Sequence, residues 1–222
     1  MKPGTFMGSL YQLCVWVMRL AYLNILWVLF SIAGLLIFGI GPSTAAMFAV
    51  TRKWVMGEKD IPIFATFWEA SRTEFIKSNV LLGIFIIIGF VLYFDLRFLL
   101  NYDGWLFTIL TVGLISLIVL YLFVFLFVYP VFVHYNFNTF QYVKYSLLIV
   151  ICNPLKLVLL TISMGLAFIG FLIMPGLILF FSGSLVSLLT MYFASTIFVK
   201  IDGNNGIKGD KDMETKHLTY SS

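Results

Sequence analysis

Residues able to do chemistry are scarce in this chain. Two stand out: Asp95 and Arg97, the charges set deepest inside an apolar block. An ionised side chain among lipid tails is costly, and where one is retained it marks a pathway or a buried pair. Spaced by two on a helix, the side chains point in different directions, so a partner for Asp95 has to come from another helix. Counting about twenty residues from Asn79 puts both in the outer third of a bilayer. There Arg97 can extend its head to the surface, with Asp103 nearby. Interfacial anchoring and a functional charge are the two readings.

The other reactive residue types assemble no centre. His134 and His217 are far apart, with no carboxylate or cysteine at ligand spacing, so no metal site is expected. Cys14 and Cys152 are distant and apolar in context, and read as packing residues rather than a disulfide. Asp210 and Asp212 lack the spacing and closing Glu of a calcium loop. There is no Walker lysine motif, no His-Glu-x-x-His run, no nucleophile elbow and no convincing pair of acids for hydrolysis. The expectation is a protein without catalytic or cofactor-binding residues, and not an enzyme.

The elements that would position these residues are apolar. Of 222 residues, 61% are hydrophobic, 18% aromatic and 11% charged, and mean hydropathy is +1.03. Val80 to Phe94 is uncharged, as is Trp105 to Tyr129; crossing a bilayer takes roughly 20 such residues. Soluble domains of this size need no such blocks, because their helices keep a polar face. The chain reads as an all-α polytopic membrane protein, a single helical domain over residues 1–199 with a flexible cytoplasmic tail over 200–222. Five spans are expected, at 21–40, 79–100, 105–129, 157–174 and 176–199. Phe6–Arg19 is too short for its own span and either extends the first helix or lies in the interface. With no small-residue cleavage site before it, the first segment reads as retained.

Lysine and arginine distribution sets the orientation. Five spans put eleven of the fourteen on one side, with only Lys2, Arg19 and Arg97 opposite. The two longer loops and the C-terminus are then cytoplasmic and the N-terminus outside. Scattered basic residues give no support for nucleic-acid binding. Gly39-Ile40-Gly41-Pro42-Ser43-Thr44 ends the first span and starts a helix through Arg52 and Lys53, with Ser or Thr as cap.

Each long loop carries an amphipathic helix. Phe64, Phe67, Trp68, Ser71 and Phe75 share one face, opposite Glu69, Arg72, Thr73 and Lys77. In the second loop, Phe140, Val143, Leu147 and Ile151 oppose Gln141, Lys144 and Tyr145. Phe67, Trp68, Glu69 and Arg72 are the candidate partner-facing residues. The order span, proline (Pro42, Pro130), amphipathic helix, asparagine (Asn79, Asn153), span occurs twice and suggests an internal repeat. Gly183, Ser187, Thr190 and Ala194 form a small-residue stripe that reads as a packing face, as do Gly165 and Gly170; the stripe could also pair two copies of the chain.

Asn24-Ile25-Leu26-Trp27-Val28-Leu29-Phe30, with Gly39 to Ala46, resembles the opening of the bacterial YesL-like family of uncharacterised membrane proteins. The family's Arg-Lys pair before a Gly-Glu step is matched by Arg52-Lys53 before Gly57-Glu58. Phe67-Trp68-Glu69-Ala70 matches the aromatic segment that follows. The matching residues are chiefly Asn24, Trp27, Gly41, Pro42, Thr44, Arg52 and Lys53, and the best stretch runs from Asn24 to about Asn79. At Phe30-Ser31-Ile32-Ala33 the family often has a proline that is missing here.

The resemblance implies a multispan protein of the cell membrane associated with carbohydrate uptake, with subunits of an ATP-driven (ABC) carbohydrate importer as partners. It carries no catalytic residues over. An accessory or regulatory role is the expected function, and an autonomous small-solute transporter or channel is the alternative. A divergent importer permease is a further variant: Glu69-Ala70-Ser71 begins like the Glu-Ala-Ala docking motif, but Phe75 stands where its glycine belongs.

Overall fold

The computed structural model describes residues 5–36 and 38–219. Over them it consists of eight helices and no strand. These are α1 (Thr5–Ala33), α2 (Ile40–Val55), α3 (Ile63–Thr73), α4 (Phe75–Leu99), α5 (Trp105–His134), α6 (Thr139–Cys152), α7 (Pro154–Ile173) and α8 (Gly176–Thr219). Five are long and apolar enough to cross a bilayer: α1 from Leu10, α4, α5, α7, and α8 as far as Ile201. The short helices α3 and α6 occupy the two longer loops. The tail is helical through Thr219 as a continuation of α8. Lys2, Tyr220 to Ser222 and the tail side chains beyond Ile201 lie outside the described residues.

The first apolar run departs from expectation. It is not a helix from Ala21 to Ile40 but one from Thr5 to Ala33, followed by a turn and then α2. Phe6–Arg19 therefore extends the first helix. Gly34 and Gly39 make the turn, each so close to the other limb that a Cβ would strike backbone. Leu35 (φ 56°) and Leu36 (φ 63°) are held in the left-handed region, which costs each of them roughly 1 kcal/mol or more. The cap of α2 is Gly39, with no side-chain cap bond. Ser43 instead lies inside the first turn, donating to the Gly39 carbonyl and sharing a 2.8 Å hydrogen bond with Ser31.

Beyond the turn α2 doubles back along α1. Trp27 Nε1 donates to Thr44 Oγ1 at 3.1 Å, and Trp16 meets Trp54 edge-on at 5.5 Å. α2 then locks onto two other helices. At its start, Asn79 Nδ2 of α4 donates to the Phe38 carbonyl at 3.0 Å. A Cβ on Gly41 would stand 3.1 Å from the Ser78 carbonyl. Midway along it, Phe48 stacks on Tyr129 of α5 with centroids 5.8 Å apart. The α4–α5 pair is antiparallel, with Phe85 against both Tyr121 and Phe125. α2 thus meets that pair near the end from which the longer loops depart.

Arg19 belongs to this layer too. Its Nη2 lies 2.7 Å from Asp60 Oδ1, in the α2–α3 connection. The lysine and arginine count sets Arg19 on the side opposite that loop, whereas in the structure the two are in direct contact. The reason is the displaced first helix: Arg19 lies mid-helix, alongside the returning α2, not at an outer end.

The last apolar helix, α8, packs on α1, α2, α5 and α7. Its stripe of Ser187, Thr190 and Ala194 is buried, and Gly183 approaches Asn24 and Met47 closely. The stripe is a packing face inside the bundle and offers no surface for a second copy. Gly165 and Gly170 differ, with nothing within 4 Å of where a Cβ would stand. Cys14 and Cys152 are free and exposed rather than packed.

The repeated order survives, in altered register. α3 packs on α2 and α6 on α5, and both asparagines bond the carbonyl four residues back, Asn79 to Phe75 and Asn153 to Ile149. However, Asn79 sits inside α4 while Asn153 separates α6 from α7, and Pro42 opens α2 while Pro130 lies within α5. The core face of α6 is also not the one its periodicity suggested. Tyr142, Ser146 and Ile149 are buried, whereas Phe140 and Ile151 are exposed.

Candidate functional site

A polar concavity lies where the two halves of the chain meet. It is a cleft of about 410 Å³ walled by α2, α3, the first turn of α4, the end of α5 and the residues just beyond it. Helix geometry explains why these residues converge. Ala45, Ala49 and Lys53 recur every four residues along one side of α2, and Thr66, Glu69, Ala70 and Thr73, three or four residues apart in pairs, share one side of α3. Small alanines on the floor leave room between the charged rims. Glu74 enters from the junction of α3 and α4, Lys77 from α4, His134 from α5, and Asn136 and Tyr142 close the far wall.

The electrostatics are mixed. Glu74 and Lys77 form a loose pair at 3.8 Å, exposed enough for water to weaken it. Lys53 and Glu69 have no ion-pair partner within 4.0 Å among the described residues. Beside the cleft, Arg52 Nε donates to His134 Nδ1 at 3.4 Å, and the His134 ring stacks on Phe198 of α8 at 4.5 Å. This contact ties α2, α5 and α8 together at the cleft's edge.

Tyr142 orders the wall opposite. Its hydroxyl accepts from the Phe137 amide at 3.0 Å and donates to the Tyr135 carbonyl at 3.3 Å. Asn138 caps α6, with Gln141 returning a bond to its amide. The cleft thus offers a cation, an anion and an amide on a firm frame, suited to binding a segment of mixed charge.

The four partner-facing candidates on α3 diverge. Phe67 is fully buried against Phe30, with centroids 5.0 Å apart, and belongs to the core, not to a docking face. Glu69 faces the cleft. Trp68 and Arg72 line a separate apolar groove against α1. An amphipathic helix with three different neighbours has three faces, which a two-sided reading of its periodicity cannot separate.

Asp95 and Arg97 are not brought together with the cleft or with each other. Both are exposed near the end of α4, and neither has an ion-pair partner within 4.0 Å among the described residues. Asp95 lines a shallow groove against Gly113 of α5.

The family-like residues are chiefly buried connectors. Asn24 is 1% exposed. It donates to the Leu179 carbonyl at 2.7 Å and accepts from the amides of Gly183 and Ser184 at 3.0 and 3.1 Å. Trp27 and Thr44 join α1 to α2, Gly41 admits α4, and Pro42 lines the apolar groove. Arg52 reaches His134, and Lys53 alone points into the cleft. Sequence reasoning missed His134, Glu74, Lys77 and Asn136 as cleft residues; the available signal was that each ends or opens an apolar block.

Comparison with known proteins places the chain among uncharacterised relatives. The family profile described as "Protein of unknown function, DUF624" matches residues 20–96, which hold α2, α3 and most of α4. Three proteins of Bacillus subtilis (strain 168) are similar along most of the chain. Uncharacterized protein YteU is 35% identical over 207 residues, 93% of this chain and 92% of its own. Uncharacterized protein YesL is 36% identical over 199 residues, 88% and 92% respectively. Uncharacterized protein YesV is 34% identical over 201 residues, 90% and 97%. No solved structure matches.

Proposed function

This chain belongs to the YesL-like DUF624 family, and on that premise we propose that it is a non-enzymatic accessory or regulatory subunit of an ATP-driven carbohydrate importer in the cell membrane. The sugar connection rests on the family resemblance. The observation that supports a docking role is the mixed-charge cleft, in which Lys53 and Glu69 stand unpaired among the described residues. A cytoplasmic segment of an importer subunit, carrying one acidic and one basic residue, would satisfy both.

The test is affinity purification from native membranes in mild detergent, with mass spectrometry of what co-elutes. Importer subunits are expected in stoichiometric amounts from the wild type. They should be lost from a Lys53→Glu, Glu69→Lys double reversal that purifies with unchanged yield. Recovery of the protein alone from wild-type membranes would end this reading.

The proposed orientation keeps both longer loops and the C-terminus cytoplasmic, on the charge bias. Arg19, bound to Asp60, adds the N-terminal segment to that face. The α1–α2 turn meets α4 at Ser78 and Asn79, some 30 Å short of its end at Leu99 by helix rise. On this reading α1 and α2 form a re-entrant pair, and α4, α5, α7 and α8 cross. A Tyr11→Cys variant in a Cys14→Ser, Cys152→Ser background should then react with an impermeant maleimide only from the cytoplasmic side. Labelling from outside restores a crossing first helix.

A second reading, autonomous transport of a small solute, draws on a partly open pocket of about 240 Å³ among α1, α2, α4, α5 and α8. Tyr129 lines it, and its buried hydroxyl has no hydrogen-bond partner among the described residues. Flux across liposomes that is abolished by Tyr129→Phe would favour this reading over the accessory role. The importer-permease variant keeps only Glu69-Ala70-Ser71 on α3 in its support, and predicts a bound ATPase subunit with no separate permease.

A further inference from the structure

The apolar groove on the other side of α3 is independent of the cleft and of the role proposed for it. It holds about 610 Å³ between the end of α1, the turn after it, and α3. Its shape follows from its residues. Gly34 leaves one wall without a side chain, Phe30 forms the back, and Trp68 and Phe75 flank the opening. Trp68 packs edge-on against Phe30 at 5.6 Å, which fixes its ring along the groove.

Polar groups enter at one place. Ser71 and Arg72 lie on the last turns of α3, immediately before the long apolar helix α4. Arg72 is exposed and has no ion-pair partner within 4.0 Å among the described residues. The flanking surfaces are apolar: Ile25, Leu29 and Ile32 on α1 are exposed, as are Ile76 and Val80 on α4. Bilayer lipid that wets those two stripes also reaches the groove between them.

We infer that this groove is a site for an anionic phospholipid, with an acyl chain along Phe30 and Trp68 and the phosphate at Arg72. An arginine offers a forked set of donors to a phosphate. Basic residues at the edge of the hydrocarbon region select anionic headgroups, and tryptophan is favoured at that depth. An unpaired cation at the rim of an otherwise apolar groove is the complement of a charged head on an apolar tail.

The test is native mass spectrometry of the full-length protein titrated with dioleoylphosphatidylglycerol or dioleoylphosphatidylcholine. The wild type should retain the anionic lipid preferentially. Arg72→Gln, an exposed position, should weaken that retention about fivefold, the effect of one charge at a membrane surface. Leu29→Trp, also exposed, narrows the groove and should reduce retention of both lipids. Lys59→Gln, on a loop outside the groove, should change nothing. Equal weakening by Arg72→Gln and Lys59→Gln, or unaltered binding in both groove variants, overturns the site. So does displacement of the lipid by millimolar inorganic phosphate, which would make the chain irrelevant, or a lipid-free dimer with the groove at its interface.

Discussion

The α1–α2 layer of this bundle and the far end of its long helices are held by different physics. Around α1 and α2, polar groups meet at defined distances: Asn24 spans the Leu179 carbonyl and Gly183 amide of α8, Ser31 meets Ser43, and Trp27 meets Thr44. Backbones also close in at Gly34, Gly39 and Gly41. At the far end, α5 buries nothing before Val124, α7 buries only Leu157 and Leu160, and the remaining side chains of their outer turns face outward or half outward. Lipid is as apolar as leucine, so hydrophobicity alone does not draw helices together within a bilayer; close packing and interhelical hydrogen bonds do. One region of the molecule is specified by geometry, the other by solubility in hydrocarbon.

The sharpest way to break this contrast is Asn24→Leu. It removes three hydrogen bonds in the interior, each worth roughly 1 kcal/mol, and should cost about 3 kcal/mol, read as a lowered midpoint of heat-induced aggregation in detergent. Gly41→Ala comes next. The new methyl group would press on Asn79 Oδ1 at 2.9 Å and the Ser78 carbonyl at 3.1 Å, for a loss of about 1 to 2 kcal/mol. Trp27→Phe should cost about 1 kcal/mol by orphaning Thr44.

At the other end, Ile109→Val should shift the midpoint by the equivalent of less than about 0.5 kcal/mol. A cost there equal to that of Gly41→Ala would mean the far end is packed against another copy or a partner. Smallest of all, Asp95→Asn should leave stability unchanged, since its carboxylate has no ion-pair partner within 4.0 Å among the described residues.

The same contrast decides what could be read from sequence. Apolar length is a one-dimensional property, so each of the expected spans from Asn79, Trp105, Leu157 and Gly176 overlaps a long apolar helix, with ends that differ by up to five residues. The first was less legible, because the run continues through Leu35, Leu36 and Phe38 while the backbone turns. Hydropathy does not register a left-handed pair of leucines. The face of α6 was inverted: its most apolar stripe, Phe140 and Ile151, faces out, and Tyr142 and Ser146 face the core, an arrangement that a periodicity count cannot assign. The cleft was hidden because Lys53, Glu69, Lys77 and His134 come from four helices and share no local pattern.

Asn24 sets a timetable as well as a contact. Its partners lie 155 to 160 residues further along the chain. At a synthesis rate of about 5 to 20 residues per second, the ribosome needs roughly ten to thirty seconds to deliver them after α1 has emerged. Throughout that interval the N-terminal helices carry a polar amide with no intramolecular match, while the α4–α5 hairpin, joined by a short turn, can enter the membrane as a finished unit. Biogenesis of this protein therefore ends where its sequence begins, and α1 is the segment a membrane chaperone or quality-control protease would find open longest.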